Sequence, residues 1–476
     1  MTMKPLISVI IPVYNTEQYV EQCVNSVACQ MDDQVECIIV DDGSTDGSVP
    51  LCKRIREEHP ELSITLIHQE NQGLSGARNT GMKAVSGTYL MFLDSDDMLV
   101  DGAIECLKGH VQDNPDVELF MYDALVKNET SDPYPDNEYD RSSKVPHKVL
   151  SGLEFFSDWY MGKMTVSSCL CLYKTSFLKS NQFEFTLGKL HEDNAFSFKT
   201  TLLAREVLYI PQKLYVRRVR DNSITTIKVD HRHYDGICSA YEECMDFIEK
   251  NTPGGANSTV KYYNALCRYL SFGIDIIIGK CHQSNGDISF AQKTLNRMMG
   301  YMIDSPETIT YSGLFTTEKC LKLFKQEGVE LSRRNIDNTK MVLGCRDESE
   351  FEDRIALEMQ RKREDIALQL PLCDANLNIG IYGMGVHTSQ LIEECSKHKE
   401  IEANIFFVDS NRYSGEVGIL DKKIFNVKEI PVDTDYVIIS SWVHHNEMLL
   451  NLMKYAGEKV KIIDLYENEK APLYGY

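Results

Sequence analysis

The sequence predicts an α/β protein with a parallel sheet in its first half, and three observations predict it. Mostly apolar runs recur at 8–13 (SVIIPV, β-branched), 35–40 (VECIIV), 64–69 (ITLIHQ) and 89–93 (YLMFL). Runs this short and continuous suit strands covered on both faces. Segments with helical spacing of apolar residues separate them, the order of a sheet wound with crossover helices. Polar residues gather where the strands end, and open α/β sheets bind ligands at those carboxyl ends.

Composition narrows the function classes. With 43% apolar and 25% charged residues the 476-residue chain reads as an ordinary globular protein, too long for one core. A formal charge of −21 argues against a nucleic-acid partner, because phosphate binding needs a surplus of Lys and Arg on one face. The first apolar run is short and broken by Pro12, unlike a signal peptide, and no run is long enough to span a bilayer. A cytoplasmic location is expected. The fifteen cysteines are scattered and odd in number, so reduced, mostly buried thiols are expected; Cys169 and Cys171 lack the second pair a zinc site needs.

In chain order, SVIIPV is followed by Tyr14 and the helical stretch 17–30. VECIIV ends in Asp41 and Asp42, after which serine and threonine lead into a helix at 48–59. ITLIHQ leads into a glycine-rich loop and a third helix, NQGLSGARNTGM. The fourth strand, 89–93, runs into Asp94, Ser95, Asp96 and Asp97. Three carboxylates at a buried strand end repel one another, so a cation is expected between them, and a hard divalent metal held by one or two carboxylates fits that chemistry. Asp41 and Asp42 can accept hydrogen bonds from a nucleobase or ribose, and Tyr14 can lie against a base. Gly73 and Gly76 permit close backbone approach to a diphosphate, and Arg78 offers a charged fork.

SVIIPVYN, IIVDDGSTDGS, NQGLSGARNTGM and GTYLMFLDSDDML, in this order and spacing, resemble the N-terminal half of the family 2 inverting glycosyltransferases of GT-A fold. The likeness is close over 5–99 and looser to about residue 226. It implies transfer of a hexosyl or N-acetylhexosaminyl group from a nucleotide-sugar, a UDP-sugar, with a divalent metal, Mn2+ or Mg2+. On that resemblance Asp94 would contact the ribose or the metal shell and Asp96 would ligate the metal through the D-x-D motif. Pro12, Tyr14, Asp41, Asp42, Gly73, Arg78 and Ser95 would line the nucleotide pocket. Implied partners are a glycan or lipid-linked glycan acceptor, in bacterial surface polysaccharide synthesis at the inner face of the membrane.

A base is found further on. His191, Glu192 and Asp193 precede a helical pattern and resemble the family's E-D motif, in which the Asp position, here Asp193, is the base. Acids at a helix start also serve as caps or dipole partners, and pattern alone leaves both readings open. His191 reads as a hydrogen-bonded structural histidine. In LYVRRVRDNSITT, Arg218 and Arg220 fall on one face of a strand end and could meet a diphosphate or an acidic acceptor. A solvated edge is the equal alternative.

The expected domains are the GT-A domain at 1–228, a mainly helical middle region at 229–372, and a small Rossmann-like α/β domain at 373–476. In the middle region His231 and His233 read as surface residues; acceptor binding and self-association into a homo-oligomer both stay open. In the last domain NIGIYGMGVHT resembles a dinucleotide fingerprint with Thr388 in place of its third glycine. Gly383, Gly385 and Asp409 would be its ligand contacts, and a purely structural module is an equal reading. Two rival functions remain at this level: a catalytically inactive sugar-nucleotide scaffold, and a sugar-phosphate nucleotidyltransferase, which would want a basic glycine-rich loop after the first strand.

Overall fold

The computed structural model describes residues 4–130, most of 139–156, 167–220, 231–251 and most of 371–464, with isolated positions between 273 and 370. The rest of the expected helical middle region, and Gly385, lie outside the described residues. The chain divides into two compact units: Met1–Ser142, Pro146–Phe156 and Lys163–Phe247 form the first, and Ile248–Tyr476 with two short segments the second.

The first unit opens with β1 (Ile7–Val13), α1 (Val20–Ala28), β2 (Val35–Asp41), α2 (Ser48–Glu58), β3 (Ser63–His68), α3 (Gly73–Ala84) and β4 (Tyr89–Phe92). β5 (Met98–Leu99), α4 (Ala103–Asp113), β6 (Leu119–Asn128), β7 (Val149–Leu150) and α5 (Gly152–Phe155) follow. β8 (Cys171–Lys174), α6 (Thr175–Ser180), α7 (Glu192–Leu203), β9 (Val207–Val219) and α8 (His231–Asn251) complete it. The sheet order is β3-β2-β1-β4-β8-β6-β9-β5, with β7 beside β9. The four expected strands are parallel to one another, and β1 and β4 are neighbours. Every residue of β1 and of β4 is buried, which explains their unbroken apolar character. α1 buries Val20, Cys23, Val24, Val27 and Ala28, one stripe at helical spacing that contributes about 2 kcal/mol for each large side chain. β1 pairs with β4 only as far as Ile10 and Phe92, so the missing N–H of Pro12 falls beyond that ladder.

An aromatic cluster fixes the floor of the sheet's ligand end. Phe185 stacks on Phe196 with ring centroids 3.9 Å apart, and Phe92 meets Phe185 edge-on at 5.3 Å. α7 is thereby seated over β4. The described cysteines are all free, and all but Cys29 and Cys106 are buried. One expectation is corrected: His231 is exposed, but His233 is only 1% exposed, because α8 lays that face on the loop before α7.

The second unit has an all-parallel sheet of β10 (Asn378–Tyr382), β11 (Asn404–Asp409), β12 (Ile424–Asn426), β13 (Tyr436–Ile439) and β14 (Lys461–Asp464), in the order β12-β11-β10-β13-β14. α9 (Val386–His398) follows β10. Gly383 takes a φ of +108° after β10, a value open mainly to glycine. Thr388 Oγ1 donates to the Gly383 carbonyl at 3.0 Å and shares a hydrogen bond with Ser440, so the position of the missing third glycine is used as a clasp. No helix among the described residues is long and apolar enough to cross a membrane.

Candidate active site

The carboxyl ends of β1, β2 and β4 bring together the residues singled out from sequence. Tyr14, just past β1, is 50% exposed and offers a free ring face. Asp41 and Asp42 end β2 and are buried. Asp41 accepts from the Ser44 N–H at 3.0 Å and is bonded to the His68 ring. Asp42 accepts from Gln69 Nε2 at 2.7 Å and from the N–H groups of Gln72 and Gly73, each at 2.8 Å. That carboxylate therefore anchors the start of α3, satisfying donors that the helix itself leaves open. Gly73 has a φ of +78°, which lets the turn reach back to Asp42.

Arg78, expected to offer its charged fork to a diphosphate, is buried and uses that fork on two protein carboxylates. Its Nη2 donates to Asp94 Oδ1 at 2.8 Å and its Nη1 to Glu192 Oε1 at 2.7 Å. The guanidinium lies 5.2 Å from the Phe185 ring centroid and 5.9 Å from that of Phe92. One buried arginine thus ties the acids after β4 to those at the start of α7. Burial opposes ionisation of Asp94, but the Arg78 charge and hydrogen bond outweigh it and hold the carboxyl below its ordinary range.

The remaining acids of the cluster are sorted by partner. Ser95 is buried and accepts from Thr16 Oγ1 at 3.0 Å. Asp97 accepts from Tyr215 Oη and from the Arg218 N–H, each at 2.7 Å, while Tyr215 Oη also accepts from the Asp94 N–H at 3.2 Å. Burial first, then the Asp96 and Asp94 charges, push the Asp97 carboxyl up to about 8. Asp96 Oδ2 accepts from Arg220 at 2.8 Å, and its Oδ1 has no partner among the described residues. Arg218 and Arg220 both lie over the Tyr19 ring, as their alternation requires. Arg217 takes the opposite strand face, the side of Tyr215, 5.7 Å from the Tyr139 centroid, where its charge still acts on Asp94, Asp97 and Asp193. Among the described residues no group of three acidic, histidine or cysteine side chains forms a protein-only metal cage. An all-oxygen set with crowded negative charge and an open Asp96 oxygen does fit a divalent ion that keeps water and phosphate ligands.

Glu192 and Asp193 form the first turn of α7. Burial and then the Glu192 charge push the Asp193 carboxyl up to about 7. His191, ahead of them, has a φ of +60°. Sequence reasoning missed Asn79, whose amide clasps the Phe185 backbone with two hydrogen bonds of 2.8 Å, and Tyr215, which joins Asp94 to Asp97. Neither carries a local signal; both act on partners distant in sequence.

Residues 8–178 match the model of the family Glycosyl transferase family 2. Glycosyltransferase GlyA of Streptococcus pneumoniae is 34% identical over 48% of this chain, which spans 32% of that protein. Glycosyltransferase GlyG of the same organism is 30% identical over 48% of this chain and 75% of its own length. The crystal structure of S. aureus TarS 1-349 in complex with UDP-GlcNAc is similar with a TM-score of 0.45 at 18% identity, covering 75% of this chain and 92% of that one.

Proposed function

The chain belongs to glycosyl transferase family 2, and we propose that it transfers a hexosyl or N-acetylhexosaminyl group from a UDP-sugar to an acceptor hydroxyl with inversion. The observation that carries this reading is the joining of two acid groups by Arg78, bonded to Asp94 on one side and Glu192 on the other. The donor end and the acceptor end of a displacement are then held at fixed distance. Asp193 acts as the base that takes the acceptor hydroxyl proton, and a carboxyl pushed to about 7 is suited to it. A single in-line attack inverts the anomeric centre.

Tyr14, Asp41 and Asp42 line the nucleotide end, with Pro12, Gly73 and Ser95 shaping its walls. Asp96, with Asp94 beside it, would hold a divalent Mn2+ or Mg2+ ion, which when bound offsets the negative charge growing on the departing diphosphate. Arg217, with no carboxylate at ion-pair distance among the described residues, adds positive charge at the same end. The proposed setting is synthesis of a surface glycan from cytoplasmic donors at the inner face of the membrane, with a glycan or lipid-linked acceptor.

The test is UDP release from a panel of UDP-sugars with and without Mn2+, beside calorimetry with UDP. Asp96→Asn is expected to lose metal-dependent UDP binding and turnover together. Asp193→Asn is expected to keep UDP binding and lose turnover. Full turnover by Asp193→Asn would sink the assignment of the base.

A further inference from the structure

We infer that His233, on α8, is a positioning residue for the start of α7: it holds His191 in the left-handed backbone conformation that determines where Asp193 sits. The inference rests on Asp193 being the base, as proposed above.

His191 has φ 60° and ψ 33° and occupies the position directly before the first turn of α7. A residue with a Cβ pays for that conformation, and histidine persists there only when its surroundings hold it. The holding contact is a hydrogen bond of 3.2 Å between His191 Nε2 and His233 Nδ1, with the two ring centroids 5.3 Å apart. His233 is buried, so its ring is not free to drift.

The rest of α8 grips the same segment. Gly236, one turn on from His233, lets the helix backbone come so close to Leu190 that a Cβ there would lie 2.2 Å from the Leu190 carbonyl oxygen. Glu243 accepts from Thr186 Oγ1 at 2.6 Å and from Lys199 of α7. Phe247 lies against Phe183, with centroids 6.3 Å apart. Positions 233, 236, 243 and 247 fall along one face of the helix, and their partners flank Glu192 and Asp193 on both sides. Arg78 secures Glu192 from α3; α8 secures the residue before it. A peptide that is rotated at position 191 moves the first turn of α7 and takes Asp193 with it.

The full-length chain is assayed for UDP release with whichever of UDP-GlcNAc, UDP-glucose, UDP-galactose and UDP-GalNAc the wild type turns over, and for UDP binding by calorimetry. His233→Ala is expected to lower kcat about tenfold to a hundredfold, with KM for the UDP-sugar and Kd for UDP nearly unchanged. His233→Asn, which keeps a hydrogen-bonding group near the Nδ1 position, is expected to recover most of that loss. His191→Gly adopts the positive φ without support, so adding His233→Ala to it is expected to cost no further kcat. Wild-type kcat in His233→Ala, a parallel rise in Kd for UDP, or an equal loss in the His191→Gly background each overturns the inference. Asp193→Asn run alongside separates the two claims. If it retains turnover the base assignment fails; if it is inactive while His233→Ala is fully active, only the positioning role fails.

Discussion

Asp193 works against its own ionisation. Burial and the Glu192 charge raise its carboxyl from 3.8 to about 7, with Arg78 and Arg217 pulling the other way. As the proposed base it is needed without its proton, so kcat for UDP release is expected to rise as pH passes through about 7 and then level off, a profile read directly from initial rates. Stability runs in the opposite sense. The folded carboxyl keeps its proton up to about 7 whereas an unfolded one releases it near 3.8, so this contribution is full below the lower value and is lost as pH rises through the higher one. Urea titrations at about pH 5 and about pH 8 should show that loss, and Asp193→Asn should remove it. Arg78 presents the converse case. Replacing it by Met strands the Asp94 and Glu192 charges, and the expected cost is about 3–5 kcal/mol by chemical denaturation. Lysine, a point charge without a fork, should restore only part of it.

α3 shows how one element ties the ligand end of the sheet together. Asp42 holds its first turn, Arg78 its middle, and Gly81 lies so near β1 that a Cβ would meet Ile10 Cγ2 at 2.3 Å. Asn79 extends the same helix to Phe185 and so to the loop that precedes α7. Asn79→Ala leaves a buried N–H and a buried carbonyl without that clasp. The expected loss is about 1–3 kcal/mol in urea unfolding, with a lower kcat because α7 is less firmly seated. β6 and the first half of β9 illustrate why some elements were not legible in the sequence, whereas the strand end at 214–219 was read from it. β6 carries Asp123 in the middle of an apolar run, and that charge is satisfied by Arg141 and Tyr209 from far along the chain. β9 contains Pro211, and the register jumps from Ile210 to Lys213 against β6, so the proline sits in a bulge outside the ladder. Neither pattern reads as a strand without its partner.

At the scale of the molecule, every residue given a role in transfer lies in the first unit, and the second unit has its own parallel sheet and its own core around Tyr382, Phe406, Val437 and Ile439. A chain ending near residue 372 is therefore expected to bind UDP and release it from the donor with a similar KM, while acceptor preference or oligomeric state changes. Light scattering with a donor-turnover assay checks both; loss of UDP binding in a folded truncated chain would mean that the later residues complete the site.

The first four parallel strands and the acids at their ends were legible in the sequence, because strands buried on both faces must be continuously apolar and chemistry-bearing residues collect where such strands stop; their order in the sheet came from the structure. The second α/β unit was legible for the same reason. What only the tertiary structure decided is which charge answers which. Arg78 could have faced solvent; the fold spends it on Asp94 and Glu192. Arg218 and Arg220 turn toward Tyr19 and Asp96 while Arg217 takes the opposite strand face, beside Tyr139, and His233 goes inside. A side chain's type and local spacing are properties of the chain, but its electrostatic partner is set by separate elements meeting in space, 114 residues apart for Arg78 and Glu192 and 124 for Arg220 and Asp96, and no local pattern encodes that meeting.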